Sequence, residues 1–234
     1  MCPFFAGAFP DVFRKQLTLK GKSQMKNAKL EKRLANPYIV SIDMGSPKRK
    51  AFGWCDNRNH KGYDIDKLLG NLLEENCFAM GIEAPLFIPL RPDNLENFTA
   101  GRDFESGRPW SAGAGACVTS INLGFLGSLL TIIKKAKPDI TVTTDIAVWK
   151  KYKADCILIW ESFITGKAGT SGKGSDHLDD AENALRLFEA GNFQTLSSGG
   201  YLNFPLAIAG AVEMKTLASD MLIVTGEKRF CLAR

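Results

Sequence analysis

Three times along this chain a short apolar run, rich in β-branched residues, ends in a carboxylate. Tyr38-Ile-Val-Ser-Ile ends at Asp43, Phe78-Ala-Met-Gly-Ile at Glu83, and Cys156-Ile-Leu-Ile-Trp at Glu161. Pro37 and Gly45-Ser46-Pro47 bound the first run, and Pro85 follows the second. Runs of this length and composition predict strands buried on both faces. Such strands belong to an open α/β sheet, and acids at several strand ends then converge on one edge, where these sheets place their sites. A carboxylate in that position costs several kcal/mol to bury unless it is paired, hydrogen-bonded or held by a metal. For any one of these acids taken singly, a turn cap is the plain alternative.

A basic turn, Lys48-Arg49-Lys50, leads to a second strand at Ala51-Phe-Gly-Trp-Cys. Asn57-Arg-Asn-His-Lys-Gly then turns the chain into a third short strand near Tyr63, so the first two strands form a hairpin. Ile65, Leu68, Leu69, Leu72 and Leu73 recur at helical spacing and predict a helix of about ten residues. Residues 87–115 read as irregular, and a connection of that length inside a compact domain is either functional or disordered. It holds Arg102-Asp103-Phe-Glu105-Ser-Gly-Arg108, a charged knot expected on a substrate-facing rim. Residues 117–137 predict a helix with a wide apolar face and lysines at its end, whereas 140–152 fit strand or helix equally.

The clearest helix starts at His177. Ala181, Ala184, Leu185 and Phe188 fall on one side and Gly191 stops it. His177 and Asp180, three residues apart, project to the same side. After residue 193 a helix is expected around 207–217 and a strand at 221–224. That segment either covers a sheet edge or makes a homodimer contact. The expected organisation is a basic arm or helix over 1–35, a core over 36–192, and an extension over 193–234 packing on the core.

Charge and composition narrow the function. Between residues 12 and 35 there are eight basic side chains and one acid, more positive charge than the whole chain's net +5. That segment is either a phosphate-backbone contact or a solvated leader. With 45% apolar and 24% charged residues, the chain fits a soluble globular class and no disordered or fibrous one. Its six cysteines are spread without a C-x-x-C, which argues against structural zinc or a disulfide framework and for reduced thiols in the cytoplasm. No apolar run is expected to reach the roughly 18 residues of a membrane span. The N-terminus is apolar before it is charged, the reverse of a signal peptide. Residues 166–175 are rich in Gly, Ser and Lys, but no window satisfies G-x-x-x-x-G-K-[ST], so a phosphate loop of that type is excluded.

Four pieces carry a resemblance: Ile-Asp43-Met-Gly-Ser on the first strand, the hairpin with Phe52-Gly-Trp54, Ile-Glu83-Ala-Pro on the fourth strand, and His177-Leu-Asp-Asp180-Ala on a late helix. In this order they resemble the ribonuclease H-like superfamily, nearest to the RuvC-type Holliday-junction resolvases and to the family of predicted RNase H-like nucleases. The resemblance covers roughly residues 37 to 192. It implies a mixed sheet of antiparallel hairpin strands and parallel strands flanked by helices. It also implies a metal site of Asp43, Glu83 and Asp180, with His177 as a catalytic partner or ligand. Glu83-Ala-Pro-Leu and Trp-Glu161-Ser-Phe look like the predicted-nuclease family, adding Glu161; Asp179 and Asp103 are further acid candidates. The long segment 87–115 and the last forty residues fall outside the resolvase pattern.

The expected activity is hydrolysis of phosphodiester bonds in nucleic acid with Mg2+ or Mn2+. In that chemistry two ions about 4 Å apart activate water and stabilise the leaving oxygen. Lys48, Arg49, Lys50, Arg102 and Arg108 are the expected contacts to nucleic acid, and no membrane partner is expected. A non-catalytic module binding nucleic acid or protein through the basic arm is the alternative of a different class. An actin-like phosphotransferase needs a second phosphate loop with Asp-x-Gly, which this chain lacks.

Overall fold

The hairpin strands β1 (Tyr38–Asp43) and β2 (Gly53–Asp56) pair antiparallel, with Asp43 opposite Gly53, and β2 pairs in turn with the two-residue β3 (Lys61–Gly62). The computed structural model describes residues 37–45, 51–102, 105, 109–152, 155–163, 176–197, 199–217 and 220–225. All of them belong to a compact unit that begins at Pro37. The segment 1–35, Lys48, Arg49, Lys50, Asp103, Arg108 and the stretch 166–175 lie outside the described residues.

On its other edge β1 pairs in parallel with β4 (Cys77–Glu83), and β4 with β7 (Cys156–Phe163). The far edge of β7 is divided between two strands. β6 (Thr141–Thr143) lies along Cys156 to Leu158, and β11 (Met221–Thr225) along Glu161 to Phe163. β10 (Lys215–Leu217) extends β6, and β8 (Phe193–Leu196) pairs antiparallel with β11. The result is an α/β molecule with a nine-stranded mixed sheet flanked by helices. The segment 193–225 is therefore not an extension lying on a core that ends at 192: three of its strands are sheet members. Its fourth, β9 (Tyr201–Asn203), pairs with β5 (Phe87–Pro89) in a separate two-stranded sheet.

Pleating sorts the side chains of the central strands onto two faces. Tyr38, Val40 and Ile42 of β1, Phe78, Met80 and Ile82 of β4, and Ile157 and Ile159 of β7 share one core. It is closed by α1 (Ile65–Glu74) through Leu68 and Leu72, by α2 (Gly113–Ala136) through Leu126, Leu129, Leu130 and Ile133, and by Ala209 of α5 (Phe204–Ala211). The opposite face carries Ala79, Cys156, Leu158 and Trp160. It is covered by α3 (Ile146–Tyr152) through Ile146 and Trp149 and by α4 (His177–Glu189) through Ala184 and Phe188.

Local chemistry sets the helix boundaries. Asp64 caps α1 by accepting from the backbone N–H groups of Asp66 and Lys67. The ambiguous 140–152 segment divides into β6 and α3 at Asp145, whose Oδ1 accepts from Ala147 and Val148. Asn203 caps α5 at Leu206, which starts that helix earlier than 207, and it ends at Ala211 rather than 217. α2 starts four residues before the expected position, because Gly113-Ala-Gly-Ala has no apolar periodicity to reveal its first turn. By length and composition α2 is the one helix among the described residues able to cross a membrane, contrary to the expectation of no such run. Dispersed Ser, Thr, Asn and Gly conceal its length, and its buried leucines lie in the core.

Candidate metal centre

The parallel register of β1 and β4 places Asp43 directly opposite Glu83. Both sit at strand C-termini, on the face covered by α4. α4 begins at this edge: Asp176 caps it by accepting from Leu178 N–H, and the Tyr63 hydroxyl donates to the same Asp176 side chain. Ala181, Ala184, Leu185 and Phe188 bury one side of the helix, and the i, i+3 spacing aims His177 and Asp180 at the strand ends.

A close approach by β2 makes that placement sterically possible. A Cβ built on Gly53 would stand 2.6 Å from the His177 carbonyl carbon and 2.7 Å from the Leu178 nitrogen, so any side chain there would push β2 and the start of α4 apart. Gly81 serves the same purpose deeper in the sheet, where a Cβ would fall 2.1 Å from the Trp160 ring.

One ligand oxygen from each of Asp43, Glu83 and Asp180 can be chosen so that all three lie within 4.8 Å of one another. Asp43 is only 6% exposed, and its Oδ2 is 2.6 Å from His177 Nδ1. Burial pushes the Asp43 carboxyl from its ordinary 3.8 up to about 6; the His177 contact pulls it down and the Asp180 charge adds to the rise. Glu83 lies well above the usual carboxylate range, first through burial and then through the charges of Asp43 and Asp180. Its Oε2 is shielded from solvent and has no hydrogen-bond partner among the described residues. Three crowded carboxylates, one with an orphaned buried oxygen, call for either protons or a cation. All-oxygen donors of this kind suit a hard divalent ion such as Mg2+ or Mn2+.

The other sequence-expected residues go elsewhere. Glu161 is not part of the cluster. It stands opposite Ile82, one step out of phase with Glu83, so pleating sends it to the α2 face. There it is fully buried, accepting from Leu86 N–H at 2.8 Å and from Arg102 Nη1 at 2.7 Å, with Arg102 Nη2 a further 2.7 Å from its Oε1. Arg102 is not a nucleic-acid contact either. It is 2% exposed, and its guanidinium is taken up by Glu161 and by Glu105 Oε1 at 2.7 Å. Glu105, read from sequence only as a member of a charged knot, also accepts from the N–H groups of Arg102 and Trp110. This network ties Arg102, Glu105 and Trp110 to the sheet through Glu161. Asp179 is exposed, because one residue along a helix turns it roughly 100° away from His177 and Asp180.

Sequence reasoning missed the role of Gly53, although a glycine inside a strand pattern is the signal for a close backbone approach. Set against known proteins, the chain matches no family model, no curated protein and no solved structure.

Proposed function

We propose that this chain is a metal-dependent phosphodiesterase of the ribonuclease H-like kind, acting on nucleic acid. The observation that carries the reading is the meeting of Asp43, Glu83 and Asp180 within 4.8 Å. Further support comes from their placement. The acids stand on a first strand, a fourth strand and a late helix, with the hairpin strand β2 antiparallel to β1 and β4 parallel to it, which is the arrangement the resemblance implies.

In this reading Asp43, Glu83 and Asp180 hold Mg2+ or Mn2+. The ion, when bound, supplies a water of lowered pKa and neutralises charge developing on the leaving oxygen. His177 is oriented by Asp43: an ionised Asp43 accepts from Nδ1–H and so leaves Nε2 to take the proton of the attacking water. The basic segment 12–35 provides phosphate-backbone contacts. The free thiols of Cys55, Cys77, Cys117 and Cys156 fit a reducing, cytoplasmic setting.

The test is cleavage of labelled single- and double-stranded DNA and RNA with Mg2+ or Mn2+. The wild-type chain is expected to cut at least one of them, and Asp43→Asn and Asp180→Asn to lose that activity. Cleavage by Asp43→Asn at the wild-type rate would overturn the proposal.

A further inference from the structure

β7 lies against β4 with Ile82 opposite Glu161, so one step further along these parallel strands Ser162 stands beside Glu83. Pleating puts Ser162 on the same face as Asp43 and Glu83, the face on which Trp160 and Leu158 pack beneath α4. Ser162 is 1% exposed and its Oγ has no hydrogen-bond partner among the described residues. Neighbouring strands run about 5 Å apart, so Ser162 is the cross-strand neighbour, on the same face, of a carboxylate whose Oε2 is equally without a partner among the described residues. A buried hydroxyl carries one donor and a carboxylate only acceptors. Each therefore supplies what the other lacks.

We infer that Ser162 is a positioning residue of the acidic cluster. When a divalent ion is bound, its hydroxyl would donate to Glu83 Oε2 and so fix the orientation in which that carboxylate serves the cluster. This rests on the reading of Asp43, Glu83 and Asp180 as a divalent-cation site. Hydrogen bonds of this kind behind a ligand typically change metal affinity by about 10–100-fold. Ser41 is the natural control. It lies on the same face two residues before Asp43, is fully buried, and its Oγ also has no partner among the described residues, but it sits further from the edge where the acids meet.

The experiment measures Mn2+ affinity by titration calorimetry, and the unfolding temperature without metal, for the wild-type chain, Ser162→Ala, Ser162→Thr, Ser41→Ala and Asp43→Asn. Ser162→Ala is expected to bind Mn2+ about tenfold more weakly with no loss of metal-free stability. Ser162→Thr, which keeps the hydroxyl, is expected to stay near wild type, as is Ser41→Ala. Wild-type affinity in Ser162→Ala, with Asp43→Asn abolishing binding, would overturn the inference and leave the cation site standing. A loss of affinity matched by Ser41→Ala, with lower metal-free stability in both, would assign the effect to packing and overturn it as well. Absence of Mn2+ binding by the wild-type chain would overturn the inference together with the reading beneath it.

Discussion

Burial raises the Asp43 carboxyl from 3.8 to about 6, so the folded chain keeps a proton that the unfolded chain has already released. Between about pH 4 and pH 6 the folded state thus binds more protons than the unfolded one, and stability falls as pH rises through that window. A shift of this size corresponds to about 3 kcal/mol, lost in full above pH 6. The raised Glu83 carboxyl carries the loss further toward alkaline pH. A divalent ion opposes it by replacing the proton, so its benefit must grow with pH. Thermal unfolding in chelator should therefore show the wild-type chain less stable at pH 8 than at pH 5, with Asp43→Asn recovering part of the difference and the raised Glu83 carboxyl keeping the rest. Millimolar Mn2+ should raise the wild-type transition at pH 8, raise it less at pH 5, and leave Asp43→Asn unmoved. A flat pH profile in chelator would show that Asp43 does not carry this strain.

At the scale of elements, the site depends on how closely α4 can approach β2. Gly53→Ala inserts a methyl group where backbone atoms of His177 and Leu178 already stand at 2.6–2.7 Å. The helix start must shift, at a cost of about 1–3 kcal/mol for overpacking. The displaced residues are His177 and, one turn on, Asp180. The expected result is a modest fall in unfolding temperature together with disappearance of the Mn2+ response. A variant that loses stability yet keeps the full response would show that α4 is positioned by other contacts.

The same elements show what was legible in advance. The runs before Asp43, Glu83 and Glu161 announced strands because their apolar, β-branched character leaves few other fates, and the i, i+3 spacing put His177 and Asp180 on one side of a helix. The phase of β7 was not legible. A strand buried on both faces has no alternation to show which residues share a side, so Glu161 could not be separated from Glu83 without the register. β8, β9 and β10 escaped notice because three or four residues with mixed polarity carry no periodic signal. Arg102 looked like a surface charge because its two carboxylate partners are, respectively, near in sequence and 59 residues away.

Over the whole molecule, the final strands belong to the foundation. β11 covers the second half of the β7 edge and Leu222 lies in the core beneath α4. A chain cut after Asn192 would lose β8 to β11 together, leaving β7 with an open edge at Glu161 to Phe163. Such a fragment is expected to bind a hydrophobic dye and to melt without a sharp transition. Cooperative unfolding of the fragment near the wild-type temperature would show that residues 37–192 fold alone. The salt bridge on the far face also guards against a misfold. If β7 slid by one residue against β4, Glu161 would turn into the acidic cluster, making four carboxylates there, while the buried Arg102 would lose one of the two carboxylates that hold its charge. Both outcomes are costly, so the Arg102–Glu161 pair serves as a lock against strand slippage, and the number of acids in the cluster is held at three by a charge pair that never touches it.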